Sequence, residues 1–173
     1  MKKSNFLKKL RKQGKIELVE GSEEIKSSYL EKADNCLKAS KILLVNKLYE
    51  NSISEAYYCM YNSLLALLFK TGIKSENHSG SIILLKKLFD NEDLFKIISF
   101  AKEERIDRQY YVTSKEESVS TQESAKDLVE KAEDFLVNIK ILINKTGNED
   151  IKKIREDFEG LFEDENEEEN LQV

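Results

Sequence analysis

Apolar residues recur at three- and four-residue intervals along most of the chain, the period of helices buried on one side. Ile25, Tyr29, Leu30, Ala33, Cys36, Leu37, Ser40 and Leu44 mark one face of a helix running from Ser22 to about Lys47. Ser22 is placed to cap it, and Glu23 and Glu24 sit at the positive end of its dipole. Ser52, with Glu55 three residues on, matches a capping box for the next helix. There Ile53, Ala56, Tyr57, Met60, Leu64, Leu67 and Leu68 line one face, and Leu65, Ala66 and Phe69 extend the apolar surface around it. A helix apolar over most of its circumference belongs at the centre of a bundle. Gly72 supplies its stop.

Residues 73–78 read as a polar loop, with Ser79 or Ser81 starting a short helix that carries Ile82, Leu85, Leu88 and Phe89. Leu94, Ile97, Ile98, Ala101 and Ile106 predict another helix leading towards Tyr110 and Tyr111. Residues 112–121 are polar and loop-like. Leu128, Ala132, Phe135, Leu136, Ile139, Leu142 and Ile143 then keep helical spacing until Gly147. Ile151, Ile154, Phe158, Leu161 and Phe162 outline a last, short amphipathic helix. Before Ser22 stand a weakly amphipathic start (Phe6, Leu7, Leu10) and an extended stretch over Gly14–Val19.

These elements predict an all-α fold: an antiparallel up-and-down bundle of four to five main helices. We divide the chain into a basic N-terminal arm (1–21), the helical bundle (22–147), and a short helix with an acidic, disordered tail (148–173). Composition agrees, with no Pro, no Trp and only 6 Gly among 173 residues, few breakers for so long a chain. The length fits one domain with a continuous core.

Charge adds a polarity that the net value of -5 conceals. Seven basic residues (Lys2, Lys3, Lys8, Lys9, Arg11, Lys12, Lys15) precede Glu17, with no acidic residue among them. Residues 156–173 hold nine acidic and no basic residues, and without them the formal charge becomes +4. A basic arm is drawn to phosphate backbones, and an acidic tail can mask such a surface or meet a basic partner. The first fifteen residues lack the apolar stretch of a secretory signal, and Ile53 to Phe69 contains Glu55 and Asn62. We therefore expect a cytoplasmic protein without a membrane span.

Candidate chemistry is sparse. Cys36 and Cys59 sit within helical patterns with no second thiol or histidine at ligand spacing, so neither a disulfide nor a zinc site is expected. No Glu-x-x-His pair suggests a carboxylate-bridged metal site, and no glycine-rich loop is present to cradle phosphate. No metal and no cofactor are expected. Arg105, Asp107 and Arg108 form a charged cluster beside Tyr110 and Tyr111. Arginine forks suit phosphate, with Asp107 placed to orient one of them, and tyrosines stack on bases. The alternatives are salt bridging and helix-end packing. The one histidine is His78.

A helix with scattered alanines (Ala33, Ala39) leads to Leu48-Tyr49-Glu50-Asn51 and then Ser54-Glu55-Ala56-Tyr57-Tyr58-Cys59-Met60-Tyr61. Gly72, His78 and an Arg-containing segment ending in Gln109-Tyr110-Tyr111 follow. Together these resemble HEPN domains over roughly residues 10–145, and Gly14-Lys15-Ile16 is similar to one prokaryotic branch of that family. The resemblance implies a helical bundle that often dimerises. It also implies kinship with metal-independent ribonucleases that act as toxins or immunity effectors. Many of these are paired with a small nucleotidyltransferase antitoxin that modifies a tyrosine near the catalytic motif. Other members bind without cutting.

The family's motif is an Arg followed a few residues later by His. Here Tyr110 and Tyr111 stand five and six residues after Arg105, and Thr113 and Ser114 five and six after Arg108. A tyrosine, with a pKa of about 10, is a poor base at neutral pH. The expected protein is thus an RNA- or nucleotide-associated module of a toxin–antitoxin or defence system, a homodimer, lacking the usual motif histidine. The alternative is a divergent metal-independent endoribonuclease toxin using Arg105 with Tyr110 or His78. Arg105, Arg108 and Tyr111 are the expected RNA contacts, and Tyr110 or Tyr111 the expected modification site.

Overall fold

A computed structural model describes residues 2–110 and 117–163. Among the described residues the elements are α1 (Lys2–Lys12), β1 (Ile16–Leu18), α2 (Glu23–Val45), α3 (Tyr49–Lys70), β2 (Ile73–Ser75), α4 (His78–Phe89), α5 (Glu92–Tyr110), α6 (Glu117–Lys145) and α7 (Asn148–Glu163). The chain is an all-α bundle, with β1 and β2 as the one small antiparallel pair among the described residues.

α3 is the centre. Ile53, Ala56, Tyr57, Met60, Leu64, Leu67 and Leu68 have no solvent exposure, and α2, α6 and α5 pack around them. Burying each Leu-sized side chain contributes roughly 1.5–3 kcal/mol, which explains why so apolar a helix takes the interior. α6 brings Leu128, Ala132, Phe135 and Ile139 to the same core. Lys41 pairs with Glu133 at 2.6 Å and Asp34 with Lys140 at 2.8 Å, stepping forward along α2 and backward along α6, as antiparallel helices require. Cys59 is buried and Cys36 half-buried, both as free thiols, and burial pushes them up to about 12 and about 11 respectively.

Ser22 caps α2, its hydroxyl accepting from the Ile25 amide at 3.1 Å. Ser52 does not cap α3. That helix begins a turn earlier, so the Ser52 amide already donates to Leu48 O at 2.9 Å. The buried Ser52 hydroxyl instead donates to Ser40 O at 2.8 Å, tying α3 to α2. The 73–78 stretch is also more ordered than a polar loop. Ile73 and Ser75 are buried, and β2 pairs with β1 in the register Ile16↔Ser75, Glu17↔Lys74, Leu18↔Ile73. Neither Ser79 nor Ser81 starts α4; Asn77 caps it, accepting from the Gly80 amide at 2.9 Å. Within the stretch expected as the 112–121 loop, residues from Glu117 onward belong to α6.

The two ends of the described chain close on one side of this bundle. Leu7 and Leu10 of α1 are buried, and Arg11 pairs with Glu159 of α7 at 2.6 Å while lying 4.5 Å from the Phe162 ring centroid. Gly72 holds φ +73, where a Cβ would fall 2.0 Å from Arg155 Nη1. Arg155 Nη1 donates to Val19 O at 2.9 Å, Gly72 O at 3.1 Å and Thr71 O at 3.3 Å, so α7 fastens the turn between α3 and β2. The acidic tail after Glu163 lies outside the described residues. Among the described residues no helix is long and apolar enough to cross a membrane.

Candidate functional site

Three helices bring polar side chains to one corner. α3 contributes Tyr57, Tyr58 and Tyr61, α4 contributes His78 and Ser79 from its first turn, and α5 contributes Lys102 and Arg105. The first turn of α4 is held from below. Ser81 Oγ lies 2.8 Å from Ser75 Oγ and 3.0 Å from Asn77 O, and a Cβ on Gly80 would meet Leu10 and Ile16 at 2.7 and 3.0 Å. The N-terminal helix and the β-pair thus support the backbone that presents His78.

His78 stacks on Tyr61 with ring centroids 3.8 Å apart and planes within 10°. Its Nδ1 shares a hydrogen bond of 2.5 Å with the Tyr57 hydroxyl. Arg105 Nη2 donates to the Tyr58 hydroxyl at 3.0 Å, and the guanidinium carbon lies 5.0 Å from the Tyr58 ring centroid and 5.6 Å from that of Tyr57. The guanidinium thus gains cation–π attraction besides its hydrogen bond. Lys102 Nζ donates to Ser79 Oγ at 2.5 Å, bridging α5 to α4. Tyr57 is fully buried and Tyr61 nearly so, whereas Tyr58, His78, Lys102 and Arg105 are half-buried at the surface.

Burial, reinforced by the charges of Arg105 and Lys102, holds His78 below the ordinary histidine pKa. The imidazole is therefore neutral at pH 7. Burial, aided by Tyr61, raises Tyr57 above the ordinary tyrosine range, so its hydroxyl keeps its proton. Two arrangements satisfy this neutral pair. With the imidazole proton on Nδ1 donating to Tyr57 Oη, Nε2 offers a lone pair and can take a proton. With Tyr57 donating to Nδ1, Nε2–H is a donor that can meet an anion.

Of the residues expected from sequence, Arg105 and His78 hydrogen-bond the adjacent hydroxyls of Tyr58 and Tyr57. Arg108 and Tyr110 fall in the last turn of α5, with side chains outside the described part, and Tyr111 lies outside the described residues. Tyr57, Tyr58, Tyr61, Lys102 and Ser79 were not singled out as site residues by sequence. The available signal was the hydroxyl groups: Tyr57, Tyr58 and Tyr61 stand close together on a helix otherwise destined for the core, and each brings a polar atom that needs a partner when buried. Among the described residues no group of three or more His, Cys, Asp or Glu side chains is arranged to hold a metal ion.

Several known proteins are similar to this chain in sequence. A Methanocaldococcus jannaschii protein named "Putative toxin MJ0605" is 33% identical over 125 residues, spanning 68% of this chain and 87% of its own length. A second protein of that organism, "Putative toxin MJ0142", is 30% identical over 127 residues, spanning 69% of this chain and 86% of its own. A Thermotoga maritima "UPF0332 protein" is 30% identical over 138 residues, covering 76% and 96% respectively. The HEPN domain matches residues 27–142, from α2 through most of α6, and the chain belongs to the HEPN family.

Proposed function

We propose that this chain is a toxin-class HEPN module that engages RNA through its phosphodiester backbone at the corner formed by α3, α4 and α5. The observation that carries this is the convergence of Arg105 and His78, from separate helices, on the adjacent hydroxyls of Tyr58 and Tyr57. Arg105 is positioned by Tyr58 and remains half-exposed, Lys102 adds a second cation, and both suit a phosphate. The relatives named as toxins support the class. Homodimer formation, a nucleotidyltransferase antitoxin that modifies Tyr110 or Tyr111, and a cytoplasmic setting belong to the same proposal.

The neutral His78 beside a guanidinium favours a second, stronger form: metal-independent RNA cleavage. Nε2 takes the 2′-hydroxyl proton, the 2′-oxygen attacks phosphorus, and the 5′-oxygen leaves with a proton to give a 2′,3′-cyclic phosphate. Arg105 stabilises the charge on the phosphoryl oxygens, and Tyr110 is the donor to the leaving oxygen. Incubating the protein with single-stranded RNA in EDTA tests both forms. Binding weakened by Arg105→Ala is expected for the module, and cyclic-phosphate products lost in His78→Ala for the nuclease. RNA binding that is absent, or indifferent to Arg105→Ala, sinks the proposal. Arg105-dependent binding without cutting leaves the module and removes the nuclease.

A further inference from the structure

Next to the His78–Arg105 corner a groove of about 190 Å³ runs between α4 and α5. Ile82 and Ile83 of α4 face Phe95 and Ile106 of α5 across it, and Ser79, Ser99, Lys102 and Glu103 form its polar edge. Phe95, Ser99, Glu103 and Ile106 recur at helical spacing along α5, so one face of that helix makes a continuous wall. Lys86, paired with Glu92 at 2.6 Å, lies over one face of the Phe95 ring, 4.8 Å from its centroid. The Lys102–Ser79 hydrogen bond joins the groove to the phosphate corner, since both residues line the groove, Ser79 follows His78 directly and Lys102 stands one helical turn before Arg105.

We propose that this groove takes the base of the nucleotide whose phosphate is held by Arg105 and Lys102, and that it prefers guanine. The inference rests on the phosphate assignment made above. The chemistry follows from the lining. A flat base finds an aromatic ring in Phe95 and aliphatic surface in Ile82, Ile83 and Ile106, as single-stranded RNA recognition uses apolar stacking for affinity. Discrimination then falls to the rim, where Glu103 is the one carboxylate among the lining residues. A carboxylate presents two acceptor oxygens side by side. Guanine alone of the four bases sets two adjacent N–H donors, N1–H and the N2 amino group, on its Watson–Crick edge. Adenine and cytosine place a bare ring nitrogen beside their amino group, and uracil flanks its N–H with carbonyls, so each would face Glu103 with at least one acceptor opposite another. The Ser79 and Ser99 hydroxyls serve as donor or acceptor for the remaining base or ribose atoms. Continuity with the cationic corner through Lys102 favours a nucleotide over an apolar peptide or a second copy of the chain.

Fluorescence anisotropy with 2′-O-methyl oligouridine strands, which cannot be cut, provides the test. One strand carries a single internal guanosine, a second an adenosine, a third a cytidine, and a fourth no replacement. The full chain should bind the guanosine strand about tenfold more tightly than the others, the discrimination of one good bidentate contact. Glu103→Gln, at an exposed position, should reduce the ratio to about threefold or less, because the amide offers one acceptor in place of two. Ser99→Leu, which fills the groove, should abolish the preference, with helical circular dichroism confirming the fold of both variants. Equal binding of all strands that still depends on Arg105 would overturn the base pocket and leave the phosphate site standing. No binding of any strand would overturn both. A guanosine preference unchanged in both variants would place base recognition elsewhere and overturn the groove.

Discussion

Two buried stretches of α3 are built for different purposes. Towards its C-terminus, Leu64 to Leu68 present hydrocarbon side chains to the hydrophobic core. One stretch earlier, Tyr57 is fully buried and Tyr61 nearly so, with Tyr58 at the edge. The leucines require shape alone. The tyrosines carry hydroxyls that lose water on folding, and Tyr57 and Tyr58 meet them with His78 and Arg105, groups that can carry charge and exchange protons. A buried face that turns polar thus recruits reactive partners, and the candidate site forms at the end of the core where that change occurs.

Substitutions on the two stretches should separate stability from function. Leu64→Ala should cost the most, about 3–5 kcal/mol of unfolding free energy by denaturant titration, through the lost apolar transfer and the cavity left behind. RNA affinity per folded molecule should hardly change, and a specific loss of affinity would tie the leucine stretch to the site. Arg105→Ala should show the inverse. RNA binding should weaken by about 1.5–3 kcal/mol, the scale of a hydrogen bond to a charged group, with folding stability lowered by less than about 1 kcal/mol. Gly72→Ala probes the turn beyond the leucine stretch. With φ +73 and Arg155 Nη1 in the way, a loss of about 1–3 kcal/mol is expected in thermal unfolding. Tyr57→Phe keeps the ring and removes the hydroxyl, so about 0.5–1.5 kcal/mol should be lost together with a shifted pH profile at His78.

The smallest effect concerns pH. His78 has a lowered pKa in the folded chain, so the native state binds fewer protons than the unfolded one in mildly acidic solution. Its stability contribution is complete above the unfolded value of about 6.5 and is lost as pH falls towards the lower folded value. In the nuclease form proposed above, cleavage should stand at its plateau by neutral pH and decline only as pH falls through the lowered folded value of His78. His78→Gln should flatten the stability curve between those limits. An unchanged curve would show that the imidazole environment does not shift its proton affinity.

Local periodicity alone determined much of this protein. The apolar spacings of α2, α3 and α6, the Ser22 cap and the bundle class follow from short-range rules, because helical hydrogen bonds and face patterning involve residues three or four apart. The Ser54–Tyr61 segment and its neighbours also carried the family. Other choices belonged to the tertiary structure. Ser52 fits a capping box, yet its hydroxyl is claimed by Ser40 O of another helix. Residues 73–75 look polar, yet they pair with β1, more than fifty residues earlier in the chain. Arg105 and His78 form no local motif. Tyr57 and Tyr58, adjacent on a third helix, bring them to one corner, because packing distances bear no relation to sequence separation.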